Sequence, residues 1–210
     1  MTSVEGMAAS LTERELVRSL REGDEHAFVY LLERYHGSLV RLARTFVQDP
    51  VLAEEVTRDT WLGVLRGLGT FRGDVSLRMW IHRVLIDTAR TRVIKEHSSL
   101  PFSTLDTAKG EDVVGSDRFL ADGRWASPPR SWRSFSEENP LTRETLACIQ
   151  DAIAALPPVQ RRVITLQDVE GWPAEEVCTL LDLPDTHQRA LLHRARSKVR
   201  AALEWHLEVA

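Results

Sequence analysis

Residues 170–205 read EGWPAEEVCTLLDLPDTHQRALLHRARSKVRAALEW. Pro173 suits a first helical position, and Glu175 and Glu176 follow in the first turn, where carboxylates meet the positive helix end. Val177, Leu180 and Leu181 share one apolar face. Asp182-Leu183-Pro184 interrupts the period, and Asp185 or Thr186 caps a new helix. The inner face of that helix is Leu191, Leu192, Ala195, Val199 and Leu203. A short helix, a tight turn and a longer basic helix make the helix-turn-helix pattern, whose second helix fits the major groove of DNA. Its candidates for base edges are Thr186, His187, Gln188 and Arg189, then His193, Arg194 and Arg196 one and two turns on. Arg reads guanine and Gln reads adenine through paired hydrogen bonds. Lys198 and Arg200 lie further along, placed for phosphates. An ordinary helical hairpin is the alternative that the pattern leaves open.

Upstream of this stretch the helical period persists. Leu141, Thr145, Ile149, Ala152, Ile153 and Leu156 form one stripe, ended by Pro157-Pro158. Residues 159–168 read as a short helix. Nearer the start, three helices are expected. The first spans 24–47 with Phe28, Leu31, Leu32, Tyr35, Leu39, Leu42, Ala43 and Phe46. The second spans 51–67 with Val56, Thr60, Trp61, Val64 and Leu68, and the third 76–96 with Leu77, Trp80, Ile81, Val84, Leu85, Thr88 and Ala89. No window alternates long enough to argue a sheet. Residues 98–140 have no sustained period and read as a linker. Within it Trp125 and Trp132 flank Pro128-Pro129, either a docking peptide or a segment packed back on a domain. The fold class is therefore all-α: two small helical domains, at 11–97 and 141–210, joined by the linker.

Composition narrows the function. The chain has 210 residues, 43% of them hydrophobic, and a net charge of −4. That excludes a disordered chain, and no run approaches the ~18–20 apolar residues of a membrane span. The first fifteen residues lack a secretory pattern. Cys148 and Cys178 form no CxxC pair and read as small core residues of a cytosolic protein. The charge is uneven: residues 71–97 carry +3 and residues 185–203 carry +4, so the remainder carries −11. Two basic islands in an acidic chain point to two polyanion contacts. Enzyme motifs such as HExxH, GxxxxGK[ST] and GxSxG are missing, the seven histidines are scattered, and no metal or cofactor is expected. The pairs Glu54-Glu55 and Glu175-Glu176 sit at helix starts, where a solvated first turn accounts for them.

Two blocks then resemble one family. Residues 24–92 (DEHAFVYLLERYHGSLVRLARTFVQDPVLAEEVTRDTWLGVLRGLGTFRGDVSLRMWIHRVLIDTARTR) are similar to region 2 of bacterial sigma factors. Residues 155–200 (ALPPVQRRVITLQDVEGWPAEEVCTLLDLPDTHQRALLHRARSKVR) are similar to region 4. Their order and spacing resemble the small, two-domain extracytoplasmic-function (ECF) group. The resemblance implies a cytoplasmic, non-enzymatic subunit that binds core RNA polymerase and promoter DNA, with an anti-sigma factor as a further partner.

The resemblance also assigns roles. Docking on polymerase would fall to the segment 53–61, with Glu54, Glu55, Arg58, Asp59 and Trp61. An aromatic anchor with steering charges suits a protein interface. Opening of the minus-10 element would fall to the loop Phe71–Arg78 and the helix that follows. Arg72, Arg78, Arg83, Arg90 and Arg92 would supply cations, and Asp87 would stand at a base-facing position. The family usually has Gln at the place of Arg58, Asn at Asp87 and a turn glycine at Asp182. A short Asp tolerates that left-handed turn. The minus-35 element would be read by the second helix of region 4. The competing reading is a conventional helix-turn-helix regulator that acts without core polymerase.

Overall fold

The computed structural model describes residues 12–96, Leu120, Ala126 and residues 143–209. The described residues are helical without a strand, and the chain divides into two compact units between Ser99 and Leu100. Apart from Leu120 and Ala126, the expected linker 98–140 lies outside the described residues, and Trp125 and Trp132 with it.

Among the described residues the N-terminal unit has four helices, one more than the periodicity predicts. They are α1 (Glu13–Arg21), α2 (Glu25–Ala43), α3 (Pro50–Gly67) and α4 (Leu77–Glu96), with a 3-10 turn at Leu68–Thr70. The additional helix is α1. Its start is a capping box: the Thr12 hydroxyl accepts from the Glu15 N–H, and the Glu15 carboxylate accepts from the Thr12 N–H at 2.8 Å. Leu16, Val17 and Leu20 then bury its inner face. Asp24 and Asp49 cap α2 and α3 by accepting from the N–H groups of His26 and Val51, and Pro50 starts α3.

The core of this unit is Leu31, Leu39 and Leu42 of α2, Val56 and Val64 of α3, and Ile81, Leu85 and Ala89 of α4. Each large side chain of this kind contributes roughly 1.5–3 kcal/mol on burial. The buried hydroxyls of Thr57 and Thr60 donate to the carbonyls of Ala53 and Val56, so neither costs an unmet hydrogen bond. Two glycines let α4 approach α3. A Cβ on Gly67 would stand 3.0 Å from the Trp80 ring, and one on Gly63 would stand 3.0 Å from Val84. His82 is fully buried and ties α4 to α2: Ser38 Oγ lies 3.0 Å from Nε2, and Nδ1 lies 2.8 Å from the Arg78 carbonyl. A carbonyl only accepts, so Nδ1 carries the hydrogen.

The C-terminal unit holds α5 (Arg143–Ala154), α6 (Pro158–Ile164), α7 (Ala174–Leu181) and α8 (Asp185–Val209). The expected short helix at 159–168 is found, but its second half is a π-turn, Thr165–Val169. Helix α8 packs against α5, α6 and α7. Its buried face is Leu191, Leu192, Ala195, Val199 and Leu203, as the periodicity predicts. The turn before α8 passes through Asp182 at φ 58°, ψ 51°, the left-handed conformation. Trp172 is fully buried ahead of α7.

Candidate nucleic-acid interface

The second helix of the helix-turn-helix presents Thr186, His187, Arg189 and Ala190 to solvent, with His193 and Arg194 half-exposed one turn on. The cause is spacing: Thr186, Ala190 and His193 lie opposite Leu191, Ala195 and Val199 on a helix of 3.6 residues per turn, and His187 and Arg189 flank that outer face in the first turn. Arg189 is held by Asp185 one turn earlier, Nη2 to Oδ2 2.9 Å, in an exposed pair that costs little to break.

Three side chains expected at DNA are placed elsewhere. Gln188 is fully buried, and its amide Nε2 donates to Gln167 Oε1 beneath the helix. It follows the stripe of Leu191 and Ala195, so it faces the core and not a base edge. Arg196 forms a two-bond clasp with Asp168 of the π-turn, Nε to Oδ2 2.8 Å and Nη2 to Oδ1 2.7 Å. Arg200, expected at phosphates, is 1% exposed and donates from Nε to Glu204 Oε1 at 3.1 Å. A buried guanidinium needs such a carboxylate, because an unpaired buried charge is costly.

In the N-terminal unit the exposed face of α4 shows Arg83 and Asp87, and Arg72 is exposed in the loop before it. Arg78, Arg90 and Arg92 are half-buried. Arg92 donates from Nη2 to Glu55 Oε2 at 2.7 Å, so a candidate DNA cation and a candidate polymerase contact form one ion pair across α3 and α4. Phe71 and Trp80 meet in a tilted ring contact, centroids 5.0 Å apart and planes at 39°, which fixes the start of the loop against α4.

On α3, Arg58 and Asp59 are exposed, and Glu54 and Glu55 half-exposed. Trp61 is not. It is buried against Phe28 in an edge-to-face contact, centroids 5.9 Å apart, and its Nε1–H donates to His36 Nδ1 at 3.3 Å. It is a core residue, and its removal corrects the expected docking set. His36 Nε2 in turn lies 3.7 Å from Glu54 Oε2. Leu62 and Leu65 are exposed on α3, 45% and 48%, and the sequence reading passed over them. Their signal was an apolar pair outside the Val56, Thr60, Val64 stripe.

Cys178 is half-buried, and burial, with Asp185 nearby, pushes its thiol up, away from the reactive thiolate. No group of three His, Cys, Asp or Glu among the described residues is arranged to hold a metal ion. No helix among them is long and apolar enough to cross a membrane.

Comparison with known proteins places this geometry. Residues 31–98 match the family model for sigma-70 region 2, and residues 146–199 match that for sigma-70 region 4. Two matches in this order, over more than half of the chain, define the class: the protein belongs to the sigma-70 family. The RNA polymerase sigma-H factor of Pseudomonas aeruginosa is 29% identical over 192 residues, which are 91% of this chain and 94% of that protein. The ECF RNA polymerase sigma-E factor of Salmonella typhimurium is 26% identical over 193 residues, 92% and 95% of the two chains. In fold the chain is similar to the sigma factor RpoE of Bartonella quintana, solved in complex with the anti-sigma factor NepR. That likeness has a TM-score of 0.56 and 16% identity, and covers 84% of this chain and 96% of the other. Within the family the chain is a sigma factor of the ECF group, and its function is promoter-directed initiation of transcription by RNA polymerase. The conventional regulator would leave the region 2 match without a role.

Proposed function

We propose that the two units divide promoter recognition by residue as follows. The C-terminal unit, 141–210, reads the minus-35 element through Thr186, His187, Arg189, His193 and Arg194 of α8. The N-terminal unit, 11–97, opens the minus-10 element through Arg72, Arg78, Arg83, Asp87 and Arg90. It docks on core polymerase through the outer face of α3: Glu54, Glu55, Arg58 and Asp59, extended by Leu62 and Leu65. Arg92 joins the opening set when Glu55 turns to polymerase. An anti-sigma factor is the regulatory partner, as in the Bartonella complex. Action in the cytoplasm follows from the polymerase it serves.

The observation that carries this reading is the sidedness of α8 and α4. Each buries its apolar stripe in its own unit and turns polar and cationic side chains outward. Cations on one exposed helix face suit groove entry and phosphate neutralisation. The test is run-off transcription with purified core polymerase, with and without the chain, on a pool of genomic promoter fragments. Discrete start sites that need the chain, and that shift in preference with Arg189→Ala, support the assignment. Core binding without a change in start sites on Arg189→Ala removes α8 from minus-35 readout.

A further inference from the structure

Helix α1 touches the loop before α4 at both ends. At the far end, Glu13 Oε1 accepts from the Leu77 N–H at 2.7 Å, 64 positions along the chain. At the near end, Arg21 Nε donates to the Leu68 carbonyl at 3.1 Å, and its Nη2 donates to the Phe71 carbonyl. Glu13 and Arg21 are the first and last residues of the same helix, which spans roughly 12 Å at 1.5 Å per residue. The capping box at Thr12 and Glu15 stiffens its start, and Leu16, Val17 and Leu20 seat it on the unit.

We propose that α1 is a clip that sets the conformation of the promoter-opening loop, with Glu13 and Arg21 as positioning residues for strand opening. The proposal rests on the reading that the loop Phe71–Arg78 acts at the minus-10 element. Four of its features fit together. Both residues grip backbone atoms, so they fix the path of the loop and leave the side chains of Arg72 and Asp74 exposed for DNA. The loop turns at Gly73 with φ 77°, a conformation a side chain disfavours. Phe71 packs at a tilt against the Trp80 ring, so the near end is held by a ring as well as by Arg21. The Leu77 N–H is one of the unpaired donors of the α4 N-terminus, and a carboxylate there meets the positive helix end. A loop already held in its working shape loses less freedom when it captures an unpaired base.

The experiment compares open-complex formation by holoenzymes carrying Glu13→Ala, Arg21→Ala, Glu13→Gln or Arg21→Lys. Each is assayed on a duplex promoter and on the same promoter with the minus-10 region mismatched and already open. The alanine variants should open the duplex about tenfold more slowly, Glu13→Ala through the loss of one charge-assisted hydrogen bond and Arg21→Ala through the loss of two. On the pre-opened template they should fall less than about twofold. Glu13→Gln keeps an acceptor for Leu77 and should recover most of the rate. Arg21→Lys cannot reach both carbonyls and should not. Equal losses on both templates, no loss on either, or failure of all four variants to bind core polymerase would overturn the clip. Arg72→Ala, run in parallel, separates the two readings. If it too leaves duplex opening unchanged, the role of the loop itself fails. If it slows opening while the α1 variants do not, only the clip fails.

Discussion

The clasp between Arg196 and Asp168 gives a sharp prediction, because sequence pattern and tertiary structure assign Arg196 different work. Its two bonds, 2.7 and 2.8 Å, join α8 to the π-turn, with side chains 14% and 30% exposed. At a charge separation of about 4 Å and an effective dielectric near 20, the attraction is about 4 kcal/mol. Desolvation and side-chain ordering offset most of it. A paired geometry at this depth leaves a coupling of about 1–2 kcal/mol, between the exposed and the fully buried cases. For a unit of this size the midpoint of thermal unfolding should fall by roughly 5–15 °C for either Arg196→Ala or Asp168→Ala. The assay is a double-mutant cycle on the full chain, followed by denaturant and heat, with promoter binding by the holoenzyme titrated against salt. The double variant should lose little more than either single one. The salt slope of promoter binding should be the same for Arg196→Ala as for the parent. The reasoning is refuted if Arg196→Ala leaves stability intact and lowers that slope by about 0.9, the signature of one lost phosphate contact.

Arg189→Ala should cost the holoenzyme about 1–3 kcal/mol of promoter affinity and relax preference at one minus-35 position, read by competition among variant duplexes. Gln188→Ala should leave that preference unchanged and lower folding stability by about 1–3 kcal/mol, because it strands Gln167 beneath α8; chemical denaturation measures this. Asp182→Gly should raise stability by roughly 0.5–1 kcal/mol, since a side chain at φ 58° carries a cost that glycine does not, and start-site choice should not move.

The helices were legible from the sequence because their signals are local. The stripes at Val56, Thr60 and Val64, and at Leu191, Ala195 and Val199, fix which face is buried before any partner is known. Asp49-Pro50 and Pro157-Pro158 mark helix boundaries by the missing N–H and fixed φ of proline. The left-handed turn at Asp182 was legible through the family resemblance, which puts a turn glycine at that place, and a short Asp tolerates the conformation. Even α1 carried a signal, Thr12 three residues before Glu15, that an apolar-period reading overlooks in so short and charged a helix.

What only the tertiary structure decided is where the polar side chains at the margins of those stripes go. Gln188 lies three residues before Leu191, and its type argued for adenine while its position argued for the core; the neighbour Gln167 settles it. Arg196 and Arg200 look like phosphate ligands in a basic run, yet Asp168, 28 positions away, and Glu204 claim them. Trp61 serves as well for an anchor as for a core residue until Phe28 and His36 close over it. Helical period sets the direction of a Cβ, but a long polar side chain reaches several ångströms from it in any rotamer. Its partner comes from a distant part of the chain, so only folding decides whether it meets solvent, DNA or a buried acceptor.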